Sequence, residues 1–378
     1  MTATGGVQSE GRQGAAQPRF DRPKRVVVKL GTSAITSPSG VPDPARIQRI
    51  ADQLAELRQE GVGIVLVSSG AIAAGLAELG IERRPTDMPT LQAVAAVGQR
   101  RLMDLWADAL DATGSPGPIA AQILLTQYDI VSRTSYVNAR NTLERLLELG
   151  AVPVVNENDT VAVEEIRFGE NDRIAALVAN IIAADLLVLL SDVEGVYTDH
   201  PSSPGATLLP TIEEVTAEVV ALAGRRRSAL GSGGMASKIE AARIASLSGV
   251  AAVIAAGDRP RVLHDACAGA VVGTYFPARK PRQSARKLWI AWAPAARGRL
   301  IVDEGASHAV AQGNKSLLAA GVCGVEGTFS AGDAVDVVGP AGAVVAKGLV
   351  AFDSTLLAEI IGSKGGREVI HRDQLVVL

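Results

Sequence analysis

The stretch Arg25-Val26-Val27-Val28-Lys29-Leu30, followed at once by Gly31-Thr32-Ser33, decides how the rest of the chain is read. Valine side chains are stiff and β-branched and suit a pleated surface. A short apolar run stopped by glycine predicts a strand buried on both faces. Lys29 breaks that pattern. A lysine at the end of such a strand is costly to bury unless it is paired or faces a ligand; the plainer reading lets its stem lie along the surface with the ammonium in water. Gly31-Thr32-Ser33 favours the ligand, because small residues let anionic oxygens approach the backbone.

Working outward, Pro44 opens a stretch with Ile47, Ile50, Leu54 and Leu57 at helical spacing, closed by Gly61. Gly63–Val67 predicts a second strand, followed by Ser68-Ser69-Gly70 and a helix of small residues. Further strands are expected at Ile119–Leu125, Ala151–Val155, Leu186–Leu190 and Val250–Ala255, with helices at Thr134–Leu149 and Arg173–Ala184. Apolar strands alternating with helices predict an α/β fold, a mainly parallel sheet sandwiched by helices. Ligands of such sheets bind at the carboxyl ends of the strands. Those ends here carry Gly31-Thr32-Ser33, Ser68-Ser69-Gly70, Asn156–Asp159 and Ser191-Asp192. Four such loops on one edge would form a site.

With 378 residues the chain is long enough for two domains. Hydrophobic residues make up 47% and aromatic residues 3%, so the core must be built from Ala, Val, Leu and Ile. The 37 basic and 40 acidic residues leave a formal charge of −3, and no global field attracts nucleic acid or a membrane. Cys267 and Cys323 lack C-x-x-C spacing, which fits a reducing compartment. The four histidines (His200, His264, His308 and His371) show no ligand spacing, which speaks against structural zinc. No apolar run approaches the ~20 residues that cross a bilayer. Residues 1–23, rich in Gly, Gln and Ala, read as a disordered extension, and a cytoplasmic location is expected.

The composition shifts after Gly273, and Pro277-Ala278-Arg279-Lys280-Pro281-Arg282 has the character of a linker. The expected units are an α/β domain over 24–276, a linker over 277–288 and a small β-rich domain over 289–378. Strand-like pieces in the last are Gly298–Val302, Ala334–Val338 and Ala343–Val350. From Trp289 to Leu378 there are 7 Lys/Arg against 9 Asp/Glu. That is not the basic footprint of nucleic-acid binding, so strong RNA binding is not expected.

Gly231-Ser232-Gly233-Gly234-Met235-Ala236-Ser237-Lys238 begins like a dinucleotide fingerprint, but Arg225-Arg226-Arg227 before it rules out the buried strand that fingerprint requires. A P-loop fails too, since Ser237 rather than glycine precedes Lys238. What remains is either a flexible turn before a helix or a backbone cradle for phosphate with one lysine beside it. Asn156-Glu157-Asn158-Asp159 and Glu170-Asn171-Asp172 read singly as turns or helix caps. Beside two phosphate-type lysines they suggest lysine orientation, Mg²⁺ binding or recognition of an ammonium group. No hydrolytic triad is credible.

Five motifs in this order resemble the glutamate-phosphorylating branch of the amino-acid kinase family. They are Val28–Ser33, Ser69–Gly75, Ala95-Ala96-Val97-Gly98-Gln99, Val155–Asp159 with Asn171-Asp172, and Gly231 through Lys238. The resemblance runs from Arg25 to the C-terminus. It implies an ATP-dependent transfer to the γ-carboxylate of L-glutamate, giving L-glutamyl 5-phosphate at the first step of proline biosynthesis. It implies ATP and Mg²⁺, Lys29 and Lys238 flanking the transferring phosphoryl group, and Asp172 orienting both lysines. Ser69, Asp159 and Asn171 would hold glutamate. Lys29, Ser191 and Asp192 would hold ATP together with Ser232, Gly233, Gly234, Met235, Ala236, Ser237 and Lys238. Proline as feedback inhibitor, a glutamyl-phosphate reductase as pathway partner and a homo-oligomer are also implied. Gly298–Ala306 and Gly327–Asp333 resemble a PUA domain. Ser191 stands where the family often has Thr, Glu170 where it often has Asp, and Arg167 where it often has Lys. These changes keep the functional group or the charge, so tuned affinity is expected rather than a different reaction.

Overall fold

The computed structural model describes residues 19–114, 116–126, 129, 133–161, 170–224, 234–280, 287, 290, 296–312, 315–363 and 366–377. The N-terminal stretch before residue 19, the Gly231–Gly233 part of the glycine-rich segment, Arg167 and most of the expected linker therefore lie outside the described residues. In chain order the large unit contains β1 (Arg25–Leu30), α1 (Thr32–Ile35), α2 (Pro44–Gln59), β2 (Gly63–Ser68), α3 (Ala71–Leu79) and α4 (Met88–Asp111). It continues with β3 (Ala120–Leu125), α5 (Arg133–Glu148), β4 (Val152–Glu157), α6 (Glu170–Ile181) and β5 (Leu186–Ser191). Next come α7 (Ala217–Gly224), α8 (Met235–Leu247), β6 (Ala251–Ala256), α9 (Val262–Cys267) and β7 (Thr274–Phe276). The strands form one sheet in the order β3-β4-β2-β1-β5-β6-β7. Every pairing in it is parallel except β6 with β7.

Strand alternation sorts the core. Val27, Val65, Val67, Leu187 and Leu189 face α5, α6 and α8, where they meet Leu143, Ile174, Val178, Ile239 and Ala242. Val26, Val28, Leu30, Ile64 and Leu66 face the other way, onto Ile47 and Leu54 of α2, Leu102 and Trp106 of α4, and Val262 of α9. Lys29 shares the parity of Val27, so the period of two alone aims it at the side that carries α6 and α8. Helix α2 starts where its sequence says it should. Asp43 caps it by accepting from the Ala45 and Arg46 amides at 3.0 and 3.3 Å, with Pro44 in the first turn.

The α3–α4 crossing explains two of the glycines in the motifs. A Cβ on Gly75 would lie 2.0 Å from the Val94 carbonyl oxygen, and one on Gly98 would lie 1.8 Å from that of Ala71. The two helices touch backbone to backbone. That contact fixes the start of α3, just after Ser69, against the face of α4 that carries Gln99.

The three-residue β7 was not expected. It pairs antiparallel with β6, and Phe276 is buried in the core of the large sheet, so the composition break at Gly273 falls ahead of the sheet's last strand. The C-terminal unit has β8 (Gly298–Val302), α10 (Glu304–Ala311), β9 (Leu317–Leu318), β10 (Val322–Gly327), β11 (Ala334–Val338), β12 (Val344–Leu349), α11 (Ser354–Ile360), β13 (Glu368–Ile370) and β14 (Leu375–Val377). Its main sheet runs β10-β8-β11-β12-β14 around a core that includes Leu300, Phe329, Val337 and Leu357. The β-rich character was expected; helices α10 and α11 were not.

Gly98→Ala is expected to destabilise the protein by about 1–3 kcal/mol or more, because the obstructing atoms are backbone and cannot rotate away. Urea or thermal unfolding of the variant against the parent protein measures it.

Candidate active site

The carboxyl ends of β4, β2, β1 and β5 are adjacent in the sheet, and the chain leaves β1 toward β2 on one side and returns through β5 on the other. Polar loops from strands far apart in sequence therefore converge at this switch in strand order.

Three charged side chains meet there, each from a different element. Lys29 Nζ lies 2.5 Å from Asp172 Oδ1, and Lys238 Nζ lies 3.6 Å from Asp172 Oδ2. The relative exposures of Lys29, Lys238 and Asp172 are 3%, 5% and 0%. Ser237 Oγ donates to Asp172 Oδ2 at 2.6 Å. Asp172 stands in the first turn of α6, where the exposed amides of a helix start favour a carboxylate. Burial alone would push the Asp172 carboxyl up. Lys29 and Lys238, with hydrogen bonds from Lys29 and Ser237, outweigh it and hold the group below the usual carboxylate range. For Lys29 burial is the largest influence and Lys238 adds to it, so its ammonium lies below the ordinary lysine value despite Asp172. Two cations share one anion. The cluster carries one surplus positive charge in a place with little water.

A chain of amides adjoins it. Asn171 Nδ2 donates to Ser69 Oγ at 3.0 Å and to Asn156 Oδ1 at 2.9 Å, while Asn156 Nδ2 donates to Gln99 Oε1 at 2.7 Å. Ser69 follows β2, Asn156 lies on β4, Asn171 opens α6 and Gln99 comes from α4, so the relay ties four elements together. The Trp106 indole N–H donates to Ser68 Oγ at 2.9 Å and steadies the same loop. Among the described residues Asn171 Oδ1 is buried without a hydrogen-bond partner.

Lys29, Ser69, Asn156, Asp159 and Asn171 line a cavity of about 450 Å³, walled also by Thr32, Ser33, Arg46, Arg84 and the apolar Ile72, Leu76 and Ile81. That size suits a small molecule. Burial pushes the Asp159 carboxyl up to about 6, against the opposing pull of Arg84. The structure thus brings together Lys29, Lys238, Asp172, Ser69, Asp159 and Asn171 from the sequence reading. Ser191 and Asp192 lie apart: Ser191 Oγ donates to Asp192 Oδ1 at 3.1 Å, and neither lines the cavity, because β5 lies across β1 from β2 and β4. Gly234 caps α8, Ala236 is exposed in its first turn, and Met235 lies in a small recess with Val196, Tyr197 and Leu222. Ser232 and Gly233 lie outside the described residues. Sequence reasoning missed Gln99 and Arg84. Gln99 had a signal, as the one polar residue of the Ala95–Gln99 motif; Arg84 had none beyond its loop.

Among the described residues no group of three or more His, Cys, Asp or Glu side chains is placed to hold a metal ion. No helix among them is long and apolar enough to cross a membrane.

Comparison with known proteins shows the family of the chain. Residues 24–256 match the model of the amino acid kinase family, and residues 298–371 match that of the PUA domain. The chain is 46% identical to glutamate 5-kinase from Thermobifida fusca, over 97% of this chain and 96% of that protein. It is 48% identical to glutamate 5-kinase from Myxococcus xanthus, over 94% and 96%. Among solved structures it resembles carbamate kinase from Giardia lamblia bound to AMP-PNP, with a TM-score of 0.50 at 18% identity, covering 68% of this chain and 99% of that one. At that identity the likeness concerns the fold alone.

The raised Asp159 carboxyl has a consequence for stability. Its folded value of about 6 exceeds the ordinary 3.8, so the protonated form is favoured by folding and stability is lost as pH rises from about 4 through about 6. Asp159→Asn is expected to be more stable than the parent protein at pH 7.5, by about 1–3 kcal/mol, with the difference vanishing near pH 4. Urea titrations at the two pH values test this.

Proposed function

The chain belongs to the amino acid kinase family, and on that premise we infer that it phosphorylates the γ-carboxylate of L-glutamate with ATP, giving L-glutamyl 5-phosphate for proline biosynthesis. The observation that carries the reading is the buried Lys29–Asp172–Lys238 cluster, one positive charge in surplus, beside a cavity of small-molecule size.

A γ-carboxylate is already ionised at neutral pH, so the reaction needs no general base. Its difficulty is electrostatic. A carboxylate must approach a polyanionic nucleotide, and charge must be spread over the phosphoryl oxygens as the bond to the leaving oxygen loosens. In this reading a glutamate oxygen bonds to the γ-phosphorus, the bond from that phosphorus to the β–γ bridging oxygen breaks, and ADP leaves. Lys29 and Lys238 flank the phosphoryl group, and Asp172 keeps both ammonium groups in place. Ser69, Asp159 and Asn171 hold glutamate, with Oδ1 of Asn171 and the Asp159 carboxylate facing its ammonium group. Ser191 and Asp192, where β5 ends, hold ATP together with the segment from Ser232 to Lys238. Asp172 is already committed to two lysines, and the described residues offer no cluster of ligands for a resident metal. Mg²⁺ in this reading arrives on the nucleotide phosphates. The same reading carries proline as a feedback inhibitor, a glutamyl-phosphate reductase consuming the product, a homo-oligomer and a cytoplasmic setting; these rest on the family resemblance.

Incubation with ATP–Mg²⁺, hydroxylamine and L-glutamate, L-aspartate or N-acetyl-L-glutamate tests the reaction. A γ-hydroxamate formed from L-glutamate is the expected result; none with glutamate, from folded protein that binds ATP, would refute the acceptor. Lys238→Ala is expected to lower kcat about 10²-fold or more, since the charge acts mainly on the transition state. Near-normal turnover of that variant would remove Lys238 from the reaction. The KM for glutamate is expected to rise about tenfold per pH unit below about 6, as Asp159 takes up its proton.

A further inference from the structure

The cavity holds more charge than the transfer of a phosphoryl group requires. Its lining includes three cations, Lys29, Arg46 and Arg84. Lys29 belongs to the buried cluster. Arg46 is engaged by its own loop: its guanidinium donates to the Ser33 carbonyl at 3.1 Å and pairs with Asp43 at 3.4 Å. Arg84 lines the same cavity as Asp159, and its charge acts on that carboxylate.

Arg84 stands on the short connection between α3 and α4, and both ends of that connection are pinned. Gly80 closes α3 in the left-handed conformation at φ 64°, and the Asp87 side chain caps α4 by accepting from the Thr90 amide at 3.0 Å. A guanidinium held on such a loop and a desolvated carboxylate lining the same cavity form a dipolar pair. An α-amino acid presents the complementary pair, an ammonium and a carboxylate on one carbon. The ammonium has two acceptors waiting, the Asp159 carboxylate and Oδ1 of Asn171, which has no hydrogen-bond partner among the described residues. The α-carboxylate needs a cation, and the planar fork of arginine binds carboxylates through two parallel hydrogen bonds while keeping further N–H groups for a neighbour.

We propose that Arg84 is the counter-ion of the substrate's α-carboxylate, forming with Asp159 and Asn171 a reader for the zwitterionic head of the amino acid. This deepens the glutamate reading and rests on it. The buried lysines take the far carboxylate and the phosphoryl group; the α3–α4 loop decides which molecules bring that carboxylate in. Arg84 is a specificity-determining residue here, touching the substrate at the end remote from the reacting atoms.

The full-length protein, Arg84→Gln and Arg84→Lys are compared by hydroxamate formation and by isothermal titration with L-glutamate. Arg84 is exposed on its loop, so both variants are expected to fold, which circular dichroism checks. Two competitors separate the ends of the substrate. Glutarate keeps both carboxylates and lacks the ammonium; 4-aminobutyrate keeps the ammonium and lacks the α-carboxylate. Arg84→Gln should weaken L-glutamate and glutarate alike, by about 10–100-fold. It should weaken 4-aminobutyrate by no more than about threefold. The loss on glutamate should fall on KM rather than kcat and leave the KM for ATP in place, with Arg84→Lys intermediate. Equal weakening of 4-aminobutyrate and glutamate, or no weakening of glutamate, overturns the assignment of Arg84 and leaves the glutamate reading standing. Parent protein that neither turns over nor binds L-glutamate overturns that reading, and the assignment with it.

Discussion

A carboxylate buried between two lysines is the constraint on which the rest of this molecule depends. Removing Asp172, Lys29 and Lys238 from water costs several kcal/mol for each charge, and mutual attraction repays that only when every partner is in place. Such a cluster is poor evidence for stability and good evidence for a task. With two cations to one anion it is incomplete by itself, and an incoming phosphoryl group would complete it. The geometry follows from simple rules: strand parity aims Lys29 at the side of α6 and α8, and both partners stand in first turns, where the helix ends lie at the sheet edge.

Around that centre the support is neutral and rigid. The Gly75–Gly98 contact locks α3 to α4 through their backbones, and the Ser69–Asn171–Asn156–Gln99 relay passes through elements joined by that lock. Asp159 stands opposite, a carboxylate that the folded protein would sooner protonate. Its charge is kept at a cost in stability, the usual balance at a binding site. The described surroundings thus divide into a part that holds still and a part that is electrostatically unsatisfied.

Much of this was written in the sequence, and the reasons for the gaps are physical. β1, β2 and β4–β6 were legible because buried parallel strands are continuous apolar runs, and α2 because its cap, first-turn proline and apolar spacing agree. Lys29 declared itself by breaking a strand. β7 did not, since three residues carry no period and its partner lies well upstream. Gln99 was visible only as part of a motif of small residues; its function is a hydrogen bond to a strand 57 positions away. Arg84 looked like any charged loop residue, because what distinguishes it, a desolvated acid across a cavity, exists only after folding. That Ser191 and Asp192 stand at the same carboxyl edge but outside the cavity could not be read ahead, since strand order cannot be read from strand content.

The spacing of the buried charges along the chain also has a meaning for synthesis. Lys29 is made early, Asp172 much later and Lys238 later still, roughly 200 residues after the first. At translation rates of about 5–20 residues per second the interval is on the order of 10–40 s. For most of it, β1 lacks β5, its neighbour at the centre of the sheet, and Lys29 lacks Asp172, the anion it is buried with. A nascent N-terminal half therefore has Val27, whose covering helices α6 and α8 are still unmade, beside a lysine that cannot yet be buried. The same long-range closure that makes the finished site so enclosed leaves the growing chain dependent on whatever shields that strand in the meantime.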